Sequence, residues 1–442
     1  MTGQTFAESA KCILRESIED VIANKEKYIR NPGKDFQRDR KLPLGTMIDQ
    51  LLQMGSGSLQ NELLKYHGFS EKTPTKSAFC QQRSKLLPSA MEHLFHSFTC
   101  ALYTLDTPKT TKEGYSILAC DGSDINIPYN PDDFETYHRN CQKRGYNQLH
   151  LNTVFDILNR TYIDAVLEPD CKSHERAAFI QMVDRYSGNK AIFIADRGYE
   201  GYNVFAHLMR SGQKFVVRLK DDSSNGIISS YDFEKFRDKN REFDCIIRTI
   251  LTCKQTKEVK KDIDTYTIIN RKQLDYFEKN AEFPLSLRIV CIRVDEGVYE
   301  YLATNLDRNQ FPLPRLKDLY HLRWGIETSF RDLKYTIDIL HFHARTRAYV
   351  EQEAWARLLV FNFCQAITCH VIAEKKEPAK FDVKINFAIA VCICREFLKQ
   401  HSDDEINICR LLARFLIPIR PNRASPRNMK PQSAKSFLYR VA

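Results

Sequence analysis

Three acidic residues in this sequence stand where their carboxylates could hold divalent metal ions. Asp121 follows the apolar run SILAC, Asp196 follows IFIA, and Glu327 lies in a helical pattern much later in the chain. An aspartate beside a buried apolar run is costly to ionise unless it is paired or binds a metal. Mg²⁺ prefers oxygen ligands, and two such ions about 3.5–4 Å apart support phosphoryl transfer. The chemistry that these residues predict is metal-dependent cleavage or joining of phosphodiester bonds.

The two aspartates fall on neighbouring strands of a predicted sheet. Residues 113–222 show the order β-β-β-α-β-α-β, which predicts an α/β fold with a mixed sheet, flanking helices and the ribonuclease-H-like strand order. Asp121 ends the first predicted strand and Asp196 ends the fourth, so both reach the same edge of the sheet. Singly, each aspartate more often caps a turn, whereas together they favour a metal site. Asp124 is a rival to Asp121, but strand alternation places it on the opposite face.

Glu327 lies on a predicted long helix that begins near residue 315. At about 100° per residue, one stripe of this helix carries an aromatic hydroxyl, the acid and three cations, while apolar residues occupy the adjacent face. The stripe consists of Tyr320, Arg323, Glu327, Arg331 and Lys334. A solvated face with ion pairs four residues apart is the alternative. That alternative does not account for the wide apolar face, which predicts a helix packed on the sheet.

These motifs together resemble those of a known family. The run Y-x2-R-x3-E-x6-K at residues 320–334 resembles the signature of the insertion-sequence-four family of DDE transposases. CDGS, with Asp121, and ADRGY, with Asp196, resemble its two aspartate motifs, and FVVRLK, with Arg218 and Lys220, resembles the strand that follows. The resemblance covers about residues 75–345.

The resemblance implies a catalytic triad and a cofactor. The triad is Asp121, Asp196 and Glu327, and it would bind Mg²⁺, with Mn²⁺ as a substitute and two ions in the centre. The residues expected to contact DNA near the cut are Tyr320, Arg323, Lys334, Arg218 and Lys220.

The resemblance also implies partners and a reaction sequence. The expected partners are double-stranded DNA at terminal inverted repeats, target DNA, and a second copy of the chain in a homodimer that performs cut-and-paste transposition. In some members a tryptophan of the insertion stacks on a flipped base during hairpin formation. Here Trp324 and Trp355 both lie outside the predicted insertion. Either Tyr299 or Tyr301 substitutes, or that step differs.

The remaining segments supply the other expected domains. Residues 1–112 predict a helical DNA-binding domain, 113–222 and 316–375 the two parts of the catalytic core, 223–315 a β-rich insertion, and 376–442 a helical region with a basic tail. Within the first domain, the segment Ser77 to Lys85 presents Gln81, Arg83 and Lys85, which could contact base edges or phosphates. An ordinary solvated helix is equally compatible with that pattern.

Composition narrows the class of protein. The chain has 442 residues, a formal charge of +10 and 14 cysteines without a CxxC pair. The charge suits a polyanionic partner, although many basic proteins have none, and the cysteines predict free thiols in a reducing compartment. The apolar stretch Trp355 to Ile372 contains several polar residues and predicts a buried helix, not a membrane span. We therefore expect a cytoplasmic protein without a membrane partner.

Two other functions would account for some of these sequence features. A ribonuclease-H-like nuclease that cuts without joining would use the same triad, but it needs neither the insertion nor the basic stripe. A non-catalytic DNA-binding protein derived from a transposase would be expected to have a broken triad. The triad in this sequence is intact.

Overall fold

The computed structural model of the chain describes residues 3–38, 42–105, 110–139, 144–221, 224–231, 233, 242–270, 282–374, 383–399 and 407–419. The basic tail predicted from residue 420 onward lies outside the described residues. The domain boundaries given above remain predictions.

The N-terminal part is helical, as its periodicity predicts. Its helices are α1 (Gly3–Ala23), α2 (Leu44–Gln53), α3 (Leu59–Tyr66), α4 (Lys76–Arg83) and α5 (Pro88–Thr104). Local chemistry sets their ends: the Thr75 hydroxyl accepts a hydrogen bond from the Ala78 amide at the start of α4, and Pro88 occupies the first position of α5. Their apolar faces share one buried core with the C-terminal helices.

The catalytic core follows the predicted element order. Its elements are β1 (Ser116–Ile127), β2 (Tyr137–His138), β3 (Tyr146–Asp156), β4 (Thr161–Pro169), α6 (Glu175–Arg185), β5 (Ala191–Ala195), α7 (Tyr202–Arg210) and β6 (Lys214–Arg218). The short β2 adds to the predicted set. β1 also continues to Ile127, so Asp121 lies within the strand and not at its end as predicted; what stops near Asp121 is the parallel pairing with β5.

The order of these strands in the sheet defines the fold. β3 lies antiparallel between β1 and β4, while β1, β5 and β6 run parallel to one another. The path is β4-β3-β1-β5-β6, which is the ribonuclease-H-like arrangement that the sequence predicts. β5 is buried on both faces, in keeping with its continuous apolar run.

The β-rich segment continues this same sheet. It contributes β7 (Phe243–Thr252), α8 (Lys257–Lys261), β8 (Tyr266–Ile268), β9 (Glu282–Asp295) and β10 (Val298–Thr304). β10 pairs antiparallel with β6, and β9, β7 and β8 follow outward, so the described strands of both segments form one ten-stranded sheet. The insertion is therefore bonded to the catalytic core through main-chain hydrogen bonds.

The predicted long helix around Glu327 is divided into three parts. These are α9 (Leu313–His321), α10 (Trp324–Asp332) and a π-helical turn (Leu333–Ile337), after which Asp338 adopts a left-handed conformation. Between α9 and α10 the backbone tightens, since the amides of Arg323, Gly325 and Ile326 each bond the carbonyl three residues back. The prediction of one regular helix was wrong, since a tightened turn separates α9 from α10 and a π-helical turn follows α10.

The remaining elements surround one central helix. They are α11 (Arg347–Glu374), β11 (Val383–Ile385), α12 (Phe387–Lys399), α13 (Ile408–Leu412) and β12 (Leu416–Pro418). In the described part of the chain, α11 is long and apolar enough to cross a membrane by length and composition, and 78% of its most apolar window is buried inside the protein. A helix buried in the core of a protein meets the same criterion of length and apolar composition.

Buried polar groups tie α11 to the N-terminal helices. Arg83 is 2% exposed, and its guanidinium donates to Gln352 Oε1 at 2.7 Å, to Glu353 Oε1 at 2.8 Å and to the Tyr349 carbonyl. The predicted contact of Arg83 with DNA is therefore wrong, because its donors are spent inside the protein. Burial favours the neutral form of Glu353, but Arg83 and His343 outweigh it and hold the pKa of Glu353 well below its usual range.

We expect Arg83→Met to lower the free energy of unfolding by about 3–5 kcal/mol, since it leaves the Glu353 charge buried without its main partner. Chemical denaturation measures the effect. In the unfolded chain the pKa of a glutamate is about 4.3. The lowered pKa of Glu353 stabilises the folded protein above that pH, and this stabilisation is lost in more acidic solution. The difference in free energy of unfolding between Arg83→Met and the wild type should therefore narrow in acid.

The exposed neighbour Gln81 supplies the control for this measurement. Gln81→Ala should change stability by about 0.5 kcal/mol or less. Equal stabilities of the Arg83→Met and Gln81→Ala proteins would show that the buried contacts of Arg83 do not hold the two parts together.

Candidate active site

The strand register places Asp121 beside Asp196. In the parallel pair of β1 and β5 the last partners are Cys120 and Ala195, and the next residue on each strand is one of the two aspartates. Adjacent strands lie about 4.8 Å apart, so these two residues start from neighbouring backbone positions. Asp196 keeps an extended backbone with φ −81 and ψ −177.

Strand alternation turns both aspartates toward the same face. Ile117 on β1 and Ile192 and Ile194 on β5 lie in a core shared with Leu319 of α9. Asp121 and Asp196 continue those alternating rows, and so face the helices that carry Glu327. Asp124 belongs to the other row of β1, where it pairs with His150 of β3. The predicted ranking of Asp121 above Asp124 agrees with this placement.

Glu327 approaches from α10, whose apolar face holds it against the sheet. Ile326 and Phe330 are buried in the core with β1, β3 and β4, and Ser329 Oγ hydrogen-bonds the Tyr162 hydroxyl at 2.9 Å. Gly325 allows this close approach, since a Cβ there would lie 3.0 Å from Ile157 Cγ2. The buried positions confirm the apolar face predicted from the helical periodicity.

Arg323 stands between two of the three acids. Its Nη2 donates to Glu327 Oε1 at 2.9 Å, and its Nη1 lies 3.7 Å from Asp121 Oδ2. The residue is 9% exposed, and its guanidinium carbon lies 5.1 Å from the centre of the Trp324 ring. Arg323 was predicted as a contact to DNA phosphates. In this structure it offsets part of the negative charge of Asp121 and Glu327, and its contact with DNA stays a prediction.

The acidic centre remains short of positive charge. Burial has the largest effect on Asp121, whose pKa is raised to about 6. The charges of Asp196 and Glu327 add to the rise, whereas the Gly122 amide and Arg323 oppose it. One guanidinium contacts the carboxylates from β1 and α10, and a third carboxylate, at the end of β5, adds to the negative charge on Asp121. Oxygen donors with uncompensated negative charge are what a hard divalent cation binds, so the residues fit such an ion.

Two other residues of the signature also border the acids. Tyr320 is 7% exposed, and burial raises its pKa to about 12, with Arg323 opposing and Glu300 and Asp196 adding to the rise. Burial lowers the pKa of Lys334, while the charges of Asp124 and Asp121 oppose that shift.

The remaining residues predicted to contact DNA differ in their exposure and in their partners within the protein. Arg218 pairs with Glu300 at 3.0 Å, and Lys220 Nζ donates to the Asn225 carbonyl at 3.5 Å. Gln81 is exposed on α4, and the half-buried Lys85 donates to Gln82 at 2.9 Å. Their contacts with DNA remain predictions.

The two candidate base-stacking tyrosines differ in exposure. Tyr301 is 7% exposed and packs against Phe243, so its ring is not available to a base. Tyr299 is half-buried. Trp324, which adjoins Arg323, is 45% exposed.

A second polar cluster lies on the opposite face of β1, and sequence reasoning missed most of it. Asp124, His150 and Asp170 offer ligand atoms within 4.8 Å of one another, and His150 Nδ1 lies 2.9 Å from Asp124 Oδ1. Burial lowers the pKa of His150, but contacts with Asp124 and Glu175 outweigh it and raise the pKa to about 9. Only the alternation of β3 could have indicated that His150 faces Asp124.

The fold and the site define an enzyme of the DDE type: a ribonuclease-H-like sheet with two aspartates on adjacent parallel strands and a glutamate on a later helix. The chain belongs to the family described as the transposase DDE domain, whose model matches residues 112–363. Family membership confirms the predicted transposase and implies use of divalent metal ions.

Individual proteins show more distant similarity. The transposase InsG for insertion sequence element IS4 of Escherichia coli strain K12 is 21% identical over 293 residues, which are 65% of this chain and 59% of that protein. The matched part thus spans about three fifths of that relative's length. A cryo-EM structure of the piggyBac transposase synaptic complex with hairpin DNA matches 87% of this chain and 77% of that chain at 8% identity and a TM-score of 0.45.

We expect Arg323→Gln to strengthen Mn²⁺ binding to the protein without DNA by about tenfold, or about 1.4 kcal/mol. The substitution removes a positive charge that contacts Asp121 and Glu327 and repels a cation there. Isothermal titration with Mn²⁺ measures the change. Arg331→Gln, on the exposed side of α10, is the matched control and should leave the affinity unchanged. Weaker Mn²⁺ binding by Arg323→Gln would show that the guanidinium organises the acids more than it competes with a cation.

Proposed function

We propose that this transposase binds the ends of a mobile DNA element, cuts them, and joins them to target DNA. The observation that supports this best is the in-register pair of Asp121 and Asp196 facing Glu327 from α10. Two strands and a helix from distant parts of the sequence meet at one acidic centre. Such a centre suits phosphoryl transfer, where positioning and charge stabilisation supply most of the catalysis.

The protein's own residues would divide the work as follows. Asp121, Asp196 and Glu327 would hold Mg²⁺, with Mn²⁺ as a substitute, and the bound ions would activate the attacking oxygen and steady the leaving oxygen. Two ions agree with the number and spread of the carboxylates. Arg323 would turn from the acids to a DNA phosphate when cations neutralise those acids, which reconciles its present contacts with the predicted role.

The charged groups around the acids would orient the DNA. Lys334 lies near Asp121, and the Tyr320 hydroxyl lies near Arg323 and Asp196. A phosphate at the centre would therefore meet a lysine on one side and a tyrosine on the other. Arg218 and Lys220, at the end of β6, would extend this contact along the strand. The proposed DNA is a terminal inverted repeat, bound by a homodimer in the cytoplasm.

We expect Asp121→Asn, Asp196→Asn and Glu327→Gln each to abolish cleavage of element-end DNA in Mg²⁺ while DNA binding survives, because each removes a ligand of the ions. Gel assays of cleavage and filter binding measure the two properties. Asp318→Asn, an exposed aspartate on α9, is the control and should cut normally. Near wild-type cleavage by any of the three variants would exclude that residue from the triad.

The same assay separates joining from simple cutting. A transposase transfers the cleaved end into a second DNA molecule, which gives a joined product in the gel. Complete cleavage without any joined product, with both DNA partners present, would favour a nuclease.

We expect Lys334→Ala to weaken binding of end DNA and to reduce the slope of log affinity against log salt by about one unit, as one phosphate contact is lost. Filter binding over a salt series gives the slope. Lys190→Ala is the control, since that exposed lysine precedes β5 at the sheet edge opposite the acids. If both variants kept the wild-type slope, Lys334 would have no part in phosphate binding.

A further inference from the structure

Glu175 is the first residue of α6, and its carboxylate approaches Asp196 across Gly198, although Glu175 is not part of the predicted triad. Its side chain is 44% exposed, and Oε1 lies 3.3 Å from Nε2 of the buried His150. This contact holds Glu175 ionised and restricts where its second oxygen can go, since His150 pairs with it and lowers its pKa.

Two glycines let carboxylate oxygens and His150 come closer to the backbone beside the aspartates than a side chain would allow. A Cβ on Gly198 would lie 3.0 Å from Asp196 Oδ1 and 3.5 Å from Glu175 Oε2. A Cβ on Gly122 would lie 2.4 Å from His150 Nε2 and 3.3 Å from Glu175 Oε1. Each glycine follows a catalytic aspartate within two residues, so the missing side chains leave carboxylate oxygens around a shared gap.

Buried polar atoms without partners lie near the same gap. The Tyr199 hydroxyl is in a residue only 1% exposed and has no hydrogen-bond partner apart from the weak thiol of Cys120. Burial raises the pKa of this hydroxyl most, and the charges of Glu175 and Asp121 add to the rise. On the same row of β3 as His150, Asn152 is fully buried, and both polar atoms of its amide lack a partner. Buried polar groups of this kind normally face a bound ion or ordered water.

Glu175 and Glu327 approach the aspartates from opposite faces of the sheet. Glu327 comes from α10, on the face of Ile117 and Ile194, whereas α6 packs on the face of Cys120 and Phe193. Asp121 and Asp196 therefore lie between two glutamates. Mg²⁺ is usually held by one or two carboxylates together with waters and substrate phosphates, so Asp196 and Glu175 would suffice to hold one ion.

We propose that Glu175 is a fourth metal-binding carboxylate, which together with Asp196 holds the second divalent cation of the centre in the gap beside Gly198. Glu327 and Asp121 hold the first. This assignment rests on the proposed function of the triad and adds to it the position of the second ion. The ligand class is a hard divalent cation, Mg²⁺ or Mn²⁺, bound through oxygen.

The test is Mn²⁺ binding to the full chain without DNA, which isothermal titration and electron paramagnetic resonance both measure. Glu175→Gln should weaken one bound ion by about tenfold or more. Gly198→Ala, which keeps Glu175 but fills the gap, should weaken the same ion. Glu258→Gln is the matched control, because Glu258 also lies in the first turn of a helix, α8, and is far along the insertion. Thermal unfolding in a chelator checks that each variant is folded.

The outcomes separate this inference from the function on which it rests. If Asp121→Asn also weakens Mn²⁺ binding while Glu175→Gln and Gly198→Ala leave the isotherm unchanged, Glu175 is not a ligand and the triad stands. If Asp121→Asn leaves Mn²⁺ binding unchanged, the proposed triad itself fails. A combined Glu175→Gln and Glu327→Gln protein should lose both ions, and one that retained either would overturn the division of ligands.

Discussion

Repulsion between carboxylates held close together is the constraint on which this structure depends. Two aspartates fixed side by side by strand register, with a glutamate placed against them, would drive the local fold apart or take up protons unless something opposed their charge. Arg323 supplies one opposing charge, and burial raises the pKa of Asp121 to about 6, so that this carboxylate takes up a proton more readily than a free one. The rigid parts of the fold exist to hold this unfavourable arrangement in place.

That rigidity comes from packing on both faces of the central strands. β5 is fully buried, α10 is anchored by Ile326 and Phe330, and α11 passes through the core beneath it. The polar network around Arg83 joins the N-terminal helices to α11 by bonds that would be costly to break. Motion at the acidic centre is thereby left to side chains such as Arg323.

Part of this arrangement is visible in the sequence. Asp121 and Asp196 could be assigned from apolar runs and element order, and the buried face of α10 from its periodicity, because those patterns are local. Arg83 could not, since its partners Gln352 and Glu353 lie about 270 residues later. Glu175 was missed for a similar reason: its role depends on where α6 sits over the sheet. The π turn after α10 was also missed, since the apolar periodicity of the sequence continues through it.

The junction between β6 and β10 has an evolutionary consequence. Because β10 completes the hydrogen bonds of β6, loss of the insertion would leave the apolar strand of Phe215 and Val217 with an open edge. Such edges recruit other chains and promote aggregation. Shortened descendants of this gene that kept the acids but lost the insertion would therefore tend to disappear as insoluble protein, so insertion and catalytic core should be inherited as one unit.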